Sequence, residues 1–471
     1  VDPGPLVAAW SYMLNQAEIA MTCVLGTGLD MVVRMAERFA PEDVERRVSE
    51  LASDGSDLAG DTAQMFTERT GGSDLAALET TATPHGDAWL LNGFKWFVSN
   101  VDGSAYVVLA KPEGAPDGTR GVAPFLVLRE RRDGSRNGIR IRRLKDKLGT
   151  KAVASGEVEL VDAEAFLLAP DPGGPASADG ESHDGRGLGR MMELTNGARL
   201  GIAMMGVGVA RRALVESLCY AREREAFGRP LIEQPLMQRK LADLIVEVEA
   251  AQALVFDGYL GPRLRIAAPL IKLRAARLGI SSASDAIEVH GGNGYIEQWP
   301  VARLLRDAQV NTVWEGPDNI LCLDVRRAME KSTAHEPFLE RIDSAIDHAP
   351  VLGPAADQAT ADLVALRSKQ LRQAIEAWQR LDGSVAEARL FPLAQYMVDV
   401  YAAALLLEQA GSETKLSGMG SSSEAGRKAL IARLYARSHL ADPGPLRGID
   451  APAEDLERFK ELYDGALVDP R

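Results

Sequence analysis

Hydrophobic and polar positions along the chain follow two different periods, and the change of period divides it. Roughly from Leu6 to Arg38 apolar residues recur at helical spacing, and an acidic, polar stretch follows from Glu42 to Asp61. From Thr62 to Leu168 the runs shorten to segments such as AWLLNGFKWFVS, AYVVLAK, VAPFLVL and GEVELV, set apart by Gly, Pro, Asp and Asn. Such β-branched and aromatic runs between turn residues predict an antiparallel sheet or barrel. Residues 169–187 (APDPGGPASADGESHDGRG) are too polar to pack and read as a loop. Beyond them the helical period returns, near 191–223, 235–260, 268–289 and 296–308. It resumes from about 333 to 471, where Leu363, Leu366, Leu371, Ile375 and Trp378 share near-helical spacing and the loop GSETKLSGMGSSSEAG (411–426) intervenes. The expected fold class is α+β: a helical N-terminal part (1–61), a β-barrel middle domain (62–168), a helical-bundle domain (169–332) and an extra C-terminal helical domain (333–471).

This order is not the alternation of strands and helices that a Rossmann fold needs. The glycine runs GVGVAR (206–211) and GRGLGR (185–190) lack a strand before them and read as packing and loop glycines. A chain of 471 residues with 46% hydrophobic and 25% charged residues has room for two to four packed units. Its net charge of −14 argues against a nucleic-acid or membrane-surface specialist. Residues 331–471 hold 16 Lys and Arg against 21 Asp and Glu, whereas a DNA-binding block usually carries a basic footprint. The basic stretch Arg140, Arg142, Arg143, Lys145, Lys147 and Lys151 reads as a solvated face, with a phosphate contact as the lesser alternative. The 3 cysteines form no CxxC pair, so a reducing compartment with no disulfide framework and no metal site is expected. No signal peptide is visible, and the uncharged run Leu200–Ala210 is too short to span a bilayer, so a cytoplasmic location is expected.

Five segments carry candidate chemistry: MFTERTGGSD (65–74), NGFKWFVSN (92–100), REAFGRPL (224–231), HGGNGY (290–295) and RDAQVNTVWEGPDNI (306–320). Each alone has a plain reading. The first is a hairpin turn, the second a cross-strand aromatic set, the third a solvated Arg at a helix end, and the fourth a pair of helix-closing glycines. His290 reads as a helix-end or core histidine. Together, in this order on a β-then-helix layout, the segments resemble the acyl-CoA dehydrogenase family over about residues 62–330. The spelling MFTERTGGSD, LKDKLG, PLMQ and VWEG is most similar to its AidB-type alkylation-response branch.

The resemblance implies an FAD-dependent oxidoreductase of fatty-acid metabolism that desaturates an acyl-CoA thioester and passes electrons to an electron-transfer flavoprotein. It implies a homo-oligomer, a dimer of dimers. Met65, Thr67, Gly72, Ser73, Phe97 and Ser99 would meet the flavin and pyrophosphate. Arg224, Phe227 and Gln234 would reach the FAD of a neighbouring subunit, with Glu288, Gly291, Gly292 and Asn319 near a cofactor as well. Ser73, Arg199, Trp314 and Gly316 would contact substrate. Three positions depart from the family pattern: Gln234 comes one residue early with Pro235 in its place, Glu288 stands where relatives have Gln, and Pro317 replaces Thr or Ser. The alternative function is a flavin-containing alkylation-response protein with weak dehydrogenase activity that associates with DNA.

Glu315 sits between Trp314 and a Gly-Pro turn, among apolar residues. One reading makes it a solvated carboxylate upstream of a helix at Ile320, capped by Asp318 or Asn319. The resemblance makes it the base that removes the α-proton, raised in pKa by desolvation beside Trp314. Some family branches carry the base just before an Arg that here matches Arg199, and that position is Ala198.

Overall fold

Residues 4–26, 29–53, 62–168, 187–349, 355–417, 426–447 and 449–467 are described by the computed structural model; the expected loop at 169–187 lies, but for Gly187, outside them. The chain divides into two compact units, Glu18–Ala198 and Val1–Ala17 with Arg199–Arg471.

The first unit is built on the β-rich segment. Helices α1 (Gly4–Ala17), α2 (Ile19–Gly26), α3 (Leu29–Phe39) and α4 (Glu42–Ser53) precede it. The periodic stretch Leu6–Arg38 is thus three helices, and Glu18 marks the first break by accepting a hydrogen bond from the Met21 amide at 2.6 Å. The acidic stretch after it is also helical. Glu42, Asp43 and Glu45 lie in the first turn of α4, where the helix dipole favours carboxylates, and Val44 and Val48 are buried at i, i+4 spacing.

The strands are β1 (Thr62–Met65), β2 (Thr81–His85), β3 (Ala88–Ser99), β4 (Ala105–Pro112), β5 (Ala123–Leu128), β6 (Ile139–Leu144) and β7 (Ser155–Leu167). β4 pairs with β2 on one side and β5 on the other, and β2, β3, β7 and β5 continue the ladder, so the sheet closes into a barrel. β1 adds parallel to β4, and β6 shares the second edge of β7 with β5. Inward residues such as Val108, Phe125, Val158 and Leu160 fill the interior. A second apolar cluster joins Met35, Phe39 and Val48 to Leu109, Leu126 and Phe166.

The second unit contains α1 and the helices that follow the barrel. α5 (Gly187–Glu223) starts a turn earlier than its periodicity predicts and runs into a two-stranded hairpin, β8 (Glu225–Ala226) and β9 (Arg229–Pro230). α6 (Pro235–Leu260), α7 (Ala267–His290), α8 (Pro300–Ala308) and α9 (Asp318–Ser332) complete the bundle. The C-terminal block supplies α10 (His335–Asp347), α11 (Ala355–Gln379), α12 (Gly383–Ala388), α13 (Leu390–Ser417) and α14 (Arg427–His439). Gly411–Ser417, expected in a loop, end α13, and 418–425 lie outside the described residues. One continuous apolar cluster runs from Leu214 and Leu254 of the bundle to Tyr401 and Leu430 of the C-terminal helices. Among the described residues, Leu390–Ser412 is the one stretch long and apolar enough to cross a membrane; 72% of its most apolar window is buried, as befits a core helix.

The glycines of GVGVAR lie inside α5. A Cβ on Gly206 would stand 2.4 Å from the Ala275 carbonyl oxygen, and one on Gly208 2.5 Å from Asn15 Cβ, so both glycines serve close packing.

Candidate functional site

In the barrel unit, the site begins at a tight hairpin. Glu68 and Gly71 exchange both backbone hydrogen bonds, at 3.1 and 3.0 Å, leaving Arg69 and Thr70 at the tip. Gly72 suits this close approach, because a Cβ would stand 2.6 Å from Thr67 Oγ1 and the threonine side chain would have to shift. Ser73 is exposed just beyond, and Asp74 turns back to accept from the Ala76 amide. The Trp96 amide donates to the Thr67 carbonyl at 2.8 Å, which sets this turn against β3.

β3 carries the feature that sequence alternation misses. Lys95 pairs with Val158 and Val98 with Gly156, so one extra residue lies between them on β3, a β-bulge. Simple alternation would put Lys95, Phe97 and Ser99 on one face. The bulge instead buries Lys95 and Val98 together and leaves Phe97 and Ser99 half-buried on the other side. Lys95 ends 2.6 Å from Glu68, in a buried ion pair directly beside Thr67. Burial alone would raise the Glu68 carboxyl, but the Lys95 charge and hydrogen bonds from Lys95, Thr80 and the Glu79 amide hold it below the usual range. Burial pulls Lys95 down to about 8 against the pull of Glu68. Neither residue stands out in the sequence. Met65, expected at the cofactor, has its side chain fully buried in the barrel core, so only its backbone could approach a ligand.

The basic stretch on β6 faces the acidic strand β7. Arg142 pairs with Glu159, and Arg143 and Lys145 both reach Glu157 at 2.7 Å. Lys145 Nζ also lies 3.2 Å from the centre of the Trp96 ring. Three of these cations are therefore matched within the sheet.

In the helical unit, two groups of predicted residues assemble. The first surrounds the end of α5. Phe227 and Gly228 join β8 to β9 with φ of 54° and 80°, the mark of a type I′ turn. A phenylalanine in that position is strained, and its ring is 96% exposed. Arg224 is exposed at the base of this hairpin. Gln234, expected at a cofactor, is a brace of the hairpin: its amide donates to the Ala226 carbonyl and accepts from Arg229, both at 3.0 Å. Tyr220 links the hairpin to the HGGNGY turn. Its carbonyl accepts from the Arg224 amide, its hydroxyl accepts from Asn293, and its ring stacks on His290 at 4.2 Å. His290 is a buried helix-end residue, as expected, with Nδ1 2.7 Å from the Ala286 carbonyl and its pKa lowered by burial. Gly291 (φ 60°) and Gly292 have open space where a side chain would sit. Beside them the Lys240 ammonium, 2.7 Å away, pairs with the Glu288 carboxylate and holds it below its usual pKa. That partner answers the departure from Gln, and the sequence offered no sign of it.

The second group surrounds Glu315, which is half-buried with a left-handed backbone (φ 53°). Burial pushes its carboxyl up, against Arg199 and Lys272. Arg199 was expected to touch substrate, but it is 2% exposed and turned into the protein. Its Nε donates to the Glu315 carbonyl at 3.2 Å and its Nη1 pairs with Asp324 at 2.5 Å, while Arg265 holds the same carboxylate. From α7, buried Lys272 donates to the Gly316 carbonyl at 2.7 Å. Trp314 is half-buried and Val313 62% exposed, so the aliphatic flank expected to dry Glu315 is not itself buried. α9 begins at Asp318, whose carboxylate faces Arg277 at 2.8 Å instead of capping the helix; Asn319 is exposed in the first turn. Lys272 and Asp324 were missed because each looks like an ordinary helix residue in one dimension, and Arg265 because it looks like a solvated cation in the turn before α7.

Both parts of the chain match domains of known proteins. Residues 63–163 match the acyl-CoA dehydrogenase middle domain and residues 185–330 the acyl-CoA dehydrogenase C-terminal domain. The chain is 36% identical over 277 residues to the putative acyl-CoA dehydrogenase AidB of Escherichia coli (strain K12), covering 56% of this chain and 48% of that protein. It therefore spans about half the length of that relative. Cyclohexane-1-carbonyl-CoA dehydrogenase of Geobacter metallireducens is 30% identical, over 64% of this chain and 73% of the relative. The solved structure of Caenorhabditis elegans ACDH-11 in complex with C11-CoA has a TM-score of 0.75 and 26% identity, over 95% of this chain and 75% of that one. With both domain models matched and a relative covered over most of its length, the chain belongs to the acyl-CoA dehydrogenase family.

Proposed function

We propose that the protein is an FAD-dependent acyl-CoA dehydrogenase, with Glu315 as the base that removes the α-proton of the thioester. The observation that carries this reading is the setting of Glu315: a carboxyl raised by burial, on a backbone turn whose carbonyls are held by two cations. A carboxylate in water is too weak a base for a carbon acid, and desolvation is the standard correction. A bound FAD would supply the acceptor for the β-hydrogen, taken as hydride, and so the oxidant for the desaturation.

The residues present fit that cofactor. Gly72 lets the backbone of the turn lie close against Thr67, Gly291 and Gly292 leave open space, and Lys240 offsets the charge of Glu288. Arg224 supplies a fork of donors suited to a pyrophosphate. The exposed Phe227 at a strained turn suits insertion into a second copy, which supports a homo-oligomer. The nematode neighbour bound to C11-CoA supports the acyl-CoA substrate class. An electron-transfer flavoprotein would be the acceptor that reoxidises the flavin.

The test is anaerobic mixing of the FAD-loaded protein with acyl-CoAs of different chain length and branching. Bleaching of the flavin absorbance by at least one of them is the expected result. A flavin left oxidised by the whole panel would overturn the reading.

A further inference from the structure

We propose that Lys272 is a positioning residue for the base: its ammonium fixes the Gly316 carbonyl and, together with Arg199 on the preceding carbonyl, the direction of the Glu315 side chain. The inference rests on Glu315 being the base, and on one puzzle. Lys272 is 0% exposed in the second turn of α7, among Leu270, Ile271 and Leu273. A loop carbonyl needs only a donor, and a neutral amide could provide one without burying a charge. The charge itself requires a reason.

The geometry supplies it. Lys272 Nζ lies 2.7 Å from the Gly316 carbonyl and Arg199 Nε 3.2 Å from the Glu315 carbonyl, so two cations grip two consecutive carbonyls. In a trans peptide the carbonyl and the following N–H point in opposite directions. With the Glu315 carbonyl turned to Arg199, the Gly316 N–H of the same peptide is aimed the other way, so the grip fixes the plane of the peptide that follows Glu315. Both Glu315 and Gly316 have positive φ, 53° and 101°. Glutamate holds such a conformation only where its surroundings enforce it. The grip also places positive charge beside a carboxylate whose ionised form burial disfavours.

The charged groups facing Lys272 are Asp318 on α9, Arg199 on α5, Glu315 itself and Arg277 on its own helix. Burial brings Lys272 to about 8, so it is charged at neutral pH. The groups facing Glu315 are Arg199 and Lys272, and both favour its ionised form. Removing the Lys272 charge therefore moves the Glu315 carboxyl upward.

The experiment compares the parent with Lys272→Met, which keeps the length and removes the charge, and with Lys272→Arg. The Glu315 carboxyl stretch, identified by its loss in Glu315→Gln, is titrated by infrared spectroscopy without substrate, and bleaching by acyl-CoA is followed in parallel. Lys272→Met is expected to titrate at higher pH than the parent. Its bleaching rate should fall about 10²-fold, the usual consequence of a misplaced group, with acyl-CoA affinity little changed. Lys272→Arg should restore the titration. An unchanged carboxyl titration in Lys272→Met overturns the proposal, and so does a full bleaching rate. If the Met variant does not fold, Lys272→Gln is judged by the same two readings. Should none of the acyl-CoAs bleach the parent, the dehydrogenase reading fails, while the infrared titration still decides whether Lys272 sets the carboxyl.

Discussion

Lys95 Nζ stands 2.6 Å from Glu68 Oε1 inside the barrel, the two side chains 0% and 3% exposed. The Glu68 carboxylate also accepts from the Glu79 amide, the Thr80 amide and the Thr80 hydroxyl, while Lys95 donates to the Leu109 carbonyl at 2.7 Å. Glu68 follows Thr67 directly, so this pair ties the turn that offers Thr67 and Ser73 to the bulged strand that offers Phe97 and Ser99.

Glu68→Leu should destabilise the protein strongly, by about 3–5 kcal/mol, because it leaves a buried ammonium unpaired. Glu68→Leu combined with Lys95→Met removes both charges and should recover most of that loss in urea unfolding. The double variant should nonetheless retain FAD less well, since the turn has lost its anchor. A single variant as stable as the double would show that the pair is not coupled.

The same carboxyl predicts an acid limb. Its folded-state pKa lies below the unfolded value, so the unfolded chain binds the proton first as pH falls. Its contribution to stability is complete above the ordinary carboxylate range and is lost as pH falls through the folded value. Urea midpoints measured downward from neutral pH should drop more steeply for the parent than for the Glu68→Leu, Lys95→Met double variant.

Phe227→Ala should leave folding unchanged, since the ring is 96% exposed. It should reduce the FAD content per chain and weaken self-association, because the ring's proposed place is in a neighbouring copy. Gel filtration with an absorbance ratio for flavin tests both together. Unaltered assembly and flavin content would remove Phe227 from the site.

Gly206→Ala should cost about 1–3 kcal/mol, the usual range for overpacking a core. The new Cβ meets the backbone of Ala275, which cannot rotate away, where α5 crosses α7. Thermal unfolding would show it, and an alanine tolerated at no cost would mean that the helices do not approach so closely.

What the sequence made legible follows from which physics is local. The bundle helices could be read because each must turn one apolar face to a shared core, as Leu241, Leu244, Ile245 and Val248 do on α6. Glu315 stood out because a carboxylate between an indole and a Gly-Pro turn is unusual. Lys272 and Lys95 did not, because a polar residue at a core position looks like an exposed one until its partner is known. Those partners are 44 residues away for Lys272 and 27 for Lys95. The bulge in β3 was hidden for a related reason, since an inserted residue shows only as a register shift against Val158 and Gly156 on β7. In α4, dense charge masked the i, i+4 pair Val44 and Val48.

Glu315→Gln keeps the side-chain volume and removes the base. The backbone grip of Arg199 and Lys272 acts on carbonyls that the mutation does not touch, so the loop should keep its conformation. FAD content and acyl-CoA affinity should therefore stay close to those of the parent. The bleaching rate should fall by about 10²- to 10⁴-fold, the usual contribution of a positioned general base. Because the lost interaction belongs to the transition state, the deficit should appear in the rate at saturating substrate and not in the binding constant. In the parent, the rate should rise with pH through a value above that of a free carboxyl, because burial disfavours the ionised form and only the ionised form accepts the proton. That rise should be absent from the residual rate of Glu315→Gln. A variant that bleaches as fast as the parent, with the same pH dependence, would place the base elsewhere.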